Sequence, residues 1–150
     1  MHCVNKFAEL NCSPASIAKK LDDLGRRSRR SNVIVYGVNE QDNETTENLE
    51  KPVITEIFQD VLGVKISGIE RIHRLGRPKQ GLDPKPRPVI MKLLDFRYKE
   101  RIIKNCPKLK GFAFSVSEGF SRAICDARKK LWLRTKENLD RHEKVCLVYN

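Results

Sequence analysis

Between residues 32 and 117 strand-like and helix-like segments follow one another in the order strand, helix, strand, strand, helix, strand. No other feature limits the fold as strongly. Residues 32–38, N-V-I-V-Y-G-V, are β-branched and aromatic between polar neighbours, and predict a strand. A polar turn region, 39–46, follows. Leu49, Val53, Ile57 and Val61 then recur every four residues, and Phe58 and Leu62 widen the stripe: an amphipathic helix. Thr46 or Asn48 is expected to cap it, Pro52 to sit in its first turn or kink it, and Gly63 to end it. Residues 66–75 and 88–94 predict two further strands. Asp95 is expected to cap the helix F-R-Y-K-E-R-I-I-K-N-C, which Pro107 closes. Residues 112–117 predict the last strand. The order strand, helix, strand, strand, helix, strand predicts an α+β domain of the ferredoxin-like, split β-α-β kind. It would be an antiparallel sheet with two helices on one face.

The flanks read differently. Phe7, Leu10, Ile17, Leu21 and Leu24 follow a three-four spacing, with Pro14 at the missing position. This is a short heptad seam, the remnant of a coiled coil. Ser13 and Pro14 are expected to start a helix there and Gly25 to stop it. Arg26, Arg27, Arg29 and Arg30 form a basic linker. After the central domain, residues 121–142 predict a long helix. Phe120, Ile124, Ala127 and Leu131 are its apolar line, Trp132 lies at the edge, and Arg122, Lys129 and Lys136 fall opposite. Residues 144–149 predict a strand with no partner after it, so the chain is expected to end inside a domain. The expected division is 1–31, 32–118 and 119–150.

Charge narrows the partners. Thirty Lys and Arg against nineteen Asp and Glu give a net charge of +11, which points to an anionic partner, nucleic acid before a lipid surface. No apolar run approaches the ~20 residues of a spanning helix, so no membrane association is expected. The N-terminus has no continuous apolar core and makes a poor secretory signal. The five cysteines include no C-x-x-C pair, and His2, His73 and His142 do not cluster with them. Reduced thiols in a cytosolic or nuclear protein are expected, with no metal or cofactor. Hydrolase, kinase and nucleotide-loop signatures are lacking, and Glu70 and His73 would point to opposite faces of a strand, so an enzyme is not expected.

The charge is concentrated at residues 69–94, where a Pro- and Gly-rich loop joins two strands. Arg71, Arg74, Arg77, Lys79, Lys85, Arg87 and Lys92 face only Glu70 and Asp83 in that stretch. Such a hairpin is suited to phosphate. The predicted element order is that of RNA-recognition modules, whose longer signature reads K/R-G-F/Y-G/A-F-V-x-F/Y. Residues 110–114, K-G-F-A-F, match its first five positions, but the match fails at Ser115 and falls on the fourth strand rather than the third. A Gly turn and a buried strand account for it, and the third strand has no aromatic. Tyr36 is left as either a stacking residue or a core tyrosine.

Four blocks in order, N-V-I-V-Y-G-V-N-E, I-E-R-I-H-R-L-G-R, R-P-V-I-M-K-L-L-D-F-R-Y-K-E-R-I-I-K-N and S-E-G-F-S-R-A-I-C-D-A-R-K-K-L-W, together resemble the first open reading frame protein of LINE-type (non-LTR) retrotransposons. The resemblance runs from about residue 29 to the end. It implies a non-standard, RNA-recognition-motif-like domain followed by the start of a C-terminal nucleic-acid-binding domain. It also implies binding of single-stranded RNA with little sequence preference, nucleic-acid chaperone activity, and a cytoplasmic or nuclear ribonucleoprotein particle. The family trimerises through a coiled coil, here reduced to the Pro-broken seam. Arg128 matches the family's basic position in an A-R-R/K motif that contacts RNA. The expected path of the strand is Arg26, Arg27, Arg29, Arg30, Arg71, Arg74, Arg77, Lys79, Arg87, Arg128 and Lys129, with single-stranded DNA as a second ligand. The alternative is a protein-interaction module that keeps the fold without binding RNA.

Overall fold

The computed structural model describes residues 13–78 and 85–140, without the side chains of 137–140. The chain divides into two compact units, Met1–Gly119 and Phe120–Asn150. The first carries α1 (Pro14–Arg29), β1 (Asn32–Tyr36), α2 (Thr46–Lys51) running on as a π-helical stretch (Pro52–Val61), β2 (Ile69–Arg74), β3 (Val89–Leu93), α3 (Phe96–Asn105), a 3-10 turn (Cys106–Leu109) and β4 (Ser115–Glu118). The second carries α4 (Arg122–Asp140).

The strands form one antiparallel sheet in the order β2-β3-β1-β4. Alternate residues of the sheet (Val33, Val35, Ile72, Val89, Met91 and Leu93) are buried with Leu49, Val53, Ile57, Phe58, Leu62 and Ile102 from the helices in one core. The fold is therefore mixed α+β, as the order of the elements predicts. The period of two aims one face of each strand at the helices and leaves the other outward.

Several boundaries differ from the sequence reading. Gly25 does not stop α1, which continues to Arg29. The Arg29 guanidinium lies over Gly25, where a Cβ would stand 3.0 Å from it, and Arg26 pairs with Asp22 and Asp23 across the same turn. These i,i+3 and i,i+4 contacts offset the ~1 kcal/mol that a mid-helix glycine costs. Thr45, not Thr46 or Asn48, caps α2, accepting the Asn48 N–H at 3.2 Å. Pro52 does more than kink the helix. Its missing N–H breaks the four-residue ladder, and the chain runs on with five-residue bonds such as Leu62 N–H to the Ile57 carbonyl at 3.0 Å. Ser13 caps α1, with Pro14 at the start, and Asp95 caps α3, both as expected. The last strand begins at Ser115, three residues later than predicted. Phe7 and Leu10 of the seam and the expected strand 144–149 lie outside the described residues.

Candidate nucleic-acid interface

The strand register decides which side chains look outward. On the face away from the core, His73 of β2, Ile90 of β3, Ile34 of β1 and Ser117 of β4 form one row across the sheet. Arg71 and Lys92 form the next, ending at Asn32, which is buried at 5% exposure against Gly119. Tyr36 and Ser115 pair at the end towards which the β2–β3 hairpin opens. Arg71, His73 and Tyr36 are exposed. Arg71 has no ion-pair partner among the described residues. A β-bulge between Ile69 and Arg71 takes up Glu70, whose carboxylate accepts from Lys92 Nζ at 3.0 Å. Arg71 is the cation this face offers without a counter-charge.

Arg74 is placed otherwise. A guanidinium has five N–H donors, and all of them are engaged within the protein. Nε and one Nη2 hydrogen bond the two Glu44 oxygens at 2.9 and 2.7 Å, Nη1 donates to the carbonyls of Val38 at 2.6 Å and Arg87 at 2.8 Å, and Nη2 also donates to that of Asn39 at 2.7 Å. Its side chain is only 5% exposed. No donor is left for a phosphate, so this residue of the expected strand path ties the hairpin base to the loop after β1. A cleft of about 320 Å³ opens beside it, bordered by Gln41, Asn43, Thr45, His73 and Arg87. Both arginines there are already neutralised.

Arg87 is the second such tie. It binds Glu40 through its backbone N–H at 2.6 Å and through Nε and Nη2, each at 2.9 Å. The side-chain and backbone hydrogen bonds from Arg87 hold the Glu40 carboxyl below the usual carboxylate range. A carboxyl held low in the folded state adds stability above its unfolded-state pKa, and that stability is lost as pH falls through the folded value. Glu40→Gln should therefore narrow the stability difference between about pH 7 and pH 3 relative to the parent, read from urea midpoints at the two pH values. An unchanged difference would remove Glu40 from the acid response.

The linker arginines emerge at the opposite end of the sheet, where β1 begins. Arg26 is paired with Asp22 and Asp23. Arg27 and Arg30 are exposed and Arg29 is half-buried. Arg30 stacks on the Phe96 ring with 4.4 Å from guanidinium carbon to centroid, which joins this run to the start of α3. There Arg97, Arg101 and Lys104, all exposed, extend the positive surface. The sequence reading did not include them, although their four-three spacing places them on one helix stripe. Arg97 is bound to the capping Asp95, whose carboxyl it holds low. Arg77 is exposed at the hairpin, and Lys79 lies outside the described residues. In the second unit, Arg128 beside the apolar line of α4 finds the Phe120 ring, 4.9 Å to the centroid, and Lys129 is exposed. Apart from Arg74 and Arg87, which are tied down within the fold, the predicted residues that are described fall into three groups: the linker, Arg71 and Arg77 on the outer sheet face and its hairpin, and α4.

Among the described residues no cluster of His, Cys, Asp and Glu could hold a metal, and no helix is long and apolar enough to cross a membrane. Cys106 is a free thiol pushed up by burial. The sequence matches no protein-family profile and no curated protein.

Proposed function

We propose that this chain is a sequence-tolerant binder of single-stranded RNA, of retrotransposon origin, that packages or chaperones RNA in a ribonucleoprotein particle. On this reading the central domain is ferredoxin-like, and the strand order β2-β3-β1-β4 supports that topology. The observation that carries the reading is an outward sheet face with the unneutralised Arg71 between the exposed linker arginines Arg27 and Arg30 at one end and the exposed Arg77 of the hairpin at the other. A net charge of +11 suits such a track to a polyanion. Phosphate contacts give affinity without base discrimination, which fits a coat protein rather than a sequence-specific regulator. No catalytic role is assigned.

The test is a titration of an unstructured RNA of about 40 nucleotides across salt. Affinity should fall linearly on a log–log plot with a slope near −0.7 per phosphate neutralised. Arg71→Ala should weaken binding to unrelated sequences alike and flatten the slope by about 0.7. Loss on one sequence alone would count against the reading. A second reading has one observation in its favour: Ile17, Leu21 and Leu24 on α1 are exposed at 48%, 63% and 61%, a seam open to another helix. If no RNA binds even at low salt, this protein-interaction module takes first place.

A further inference from the structure

Taking the RNA-binding reading as its basis, we infer that Tyr36 and Phe112 form a stacking platform for unpaired bases at the hairpin end of the sheet. Phe112 belongs to no strand. It follows Gly111, which has φ +94°, and its N–H closes a turn on the Leu109 carbonyl at 3.0 Å. The turn throws the ring outward, 53% exposed, whereas Phe114 packs against the core. Tyr36, at the end of β1, is 40% exposed. The two side chains arise beside one backbone crossing. Gly37, next to Tyr36, approaches Ala113, next to Phe112, so closely that a Cβ there would lie 2.2 Å from the Ala113 carbonyl oxygen.

One exposed aromatic is ordinary on a protein surface. Two brought to one crossing, neither with a ring or cation partner among the described residues, call for an occupant. The charge around them states its class. Lys108 and Lys110 are exposed on the same turn, without an ion pair among the described residues. The β2–β3 hairpin, which carries the exposed Arg77, leaves the sheet at the same end, where Leu75 N–H bonds the Pro88 carbonyl at 2.8 Å and Arg74 reaches the Val38 carbonyl two residues past Tyr36. Rings interleaved with cations fit a single strand whose bases stack while its phosphates meet lysine and arginine. A duplex, with its bases stacked internally, offers no such faces.

The experiment uses the full chain and two probes of equal length and backbone: a single-stranded oligouridylate, and the same strand with its bases removed. Phe112→Ala and Tyr36→Ala should each weaken oligouridylate binding about five- to a hundredfold. The salt slope should stay unchanged, because no cation is removed. The abasic strand should bind parent and variants alike. Phe112→Trp in a Trp132→Phe background should keep the affinity and give a single indole emission that oligouridylate quenches and the abasic strand does not. Both rings are only about half covered, so the urea midpoints of the variants should fall little below the parent's, and binding is compared where each is fully folded. The inference is overturned if the alanine variants bind oligouridylate as the parent does, while RNA binding itself stands. It is overturned also if they lose affinity for the abasic strand equally. If the parent binds neither probe at low salt, the RNA-binding reading falls and the platform with it.

Discussion

Arg74→Ala is expected to destabilise the first unit by about 3–5 kcal/mol, the range for removing one partner of a buried pair. The cost does not arise from a lost attraction alone. Glu44, 13% exposed, would keep its charge without the guanidinium, and the carbonyls of Val38, Asn39 and Arg87 would lose the donors that hold three chain segments together. Arg74→Lys should recover little. An ammonium has no planar fork and cannot reach acceptors on both sides of the site at once. Removing both charges together, with Arg74→Met and Glu44→Leu, should cost less than Arg74→Ala, because no uncompensated carboxylate remains. Urea unfolding of the three variants checks the order. A loss below about 1 kcal/mol for Arg74→Ala would place this pair with ordinary surface salt bridges.

That residue also marks where the sequence stopped being informative. Arg74 and Arg71 are three apart on one strand, and composition alone treats them as equals. Strand alternation already sets them on opposite faces, Arg71 beside His73 and Arg74 on the side of buried Ile72. The enclosure of Arg74 by the loop folding back from Val38 to Glu44 is the long-range fact that no local pattern carries. The helix side of the core, by contrast, was legible, because a period near four is a local consequence of which face meets the apolar side. Leu49, Val53, Ile57, Phe58 and Leu62 are buried as the spacing predicts. The helix caps were legible to within a residue where the side chain bonds its own turn, as at Ser13 and Asp95. F-A-F satisfies strand propensity, so local sequence alone starts the fourth strand three residues before Ser115. The Gly111 turn and the Gly37 crossing instead release Phe112 outward before pairing begins at Ser115.

Gly37→Ala should be the most damaging of the glycine substitutions, at about 2–5 kcal/mol. Two costs combine. The backbone has φ +89°, which a Cβ disfavours by roughly 1–2 kcal/mol. The new methyl would also stand 2.2 Å from the Ala113 oxygen and 3.3 Å from the Phe114 Cα, both main-chain atoms, so β1 and β4 would have to part at that end, adding about 1–3 kcal/mol. Gly63 separates the two costs. Its φ of +67° is similarly left-handed, but nothing lies within 4 Å of its missing Cβ. Gly63→Ala should therefore cost only the first part, about 1–2 kcal/mol. Urea midpoints of the two variants measure the difference directly, and equal losses would mean that the close crossing contributes nothing. The same substitution bears on the interface, because parting β1 from β4 also separates Tyr36 from Phe112. If those rings act together, Gly37→Ala should weaken oligouridylate binding even where the protein is fully folded, while Gly63→Ala should leave it unchanged.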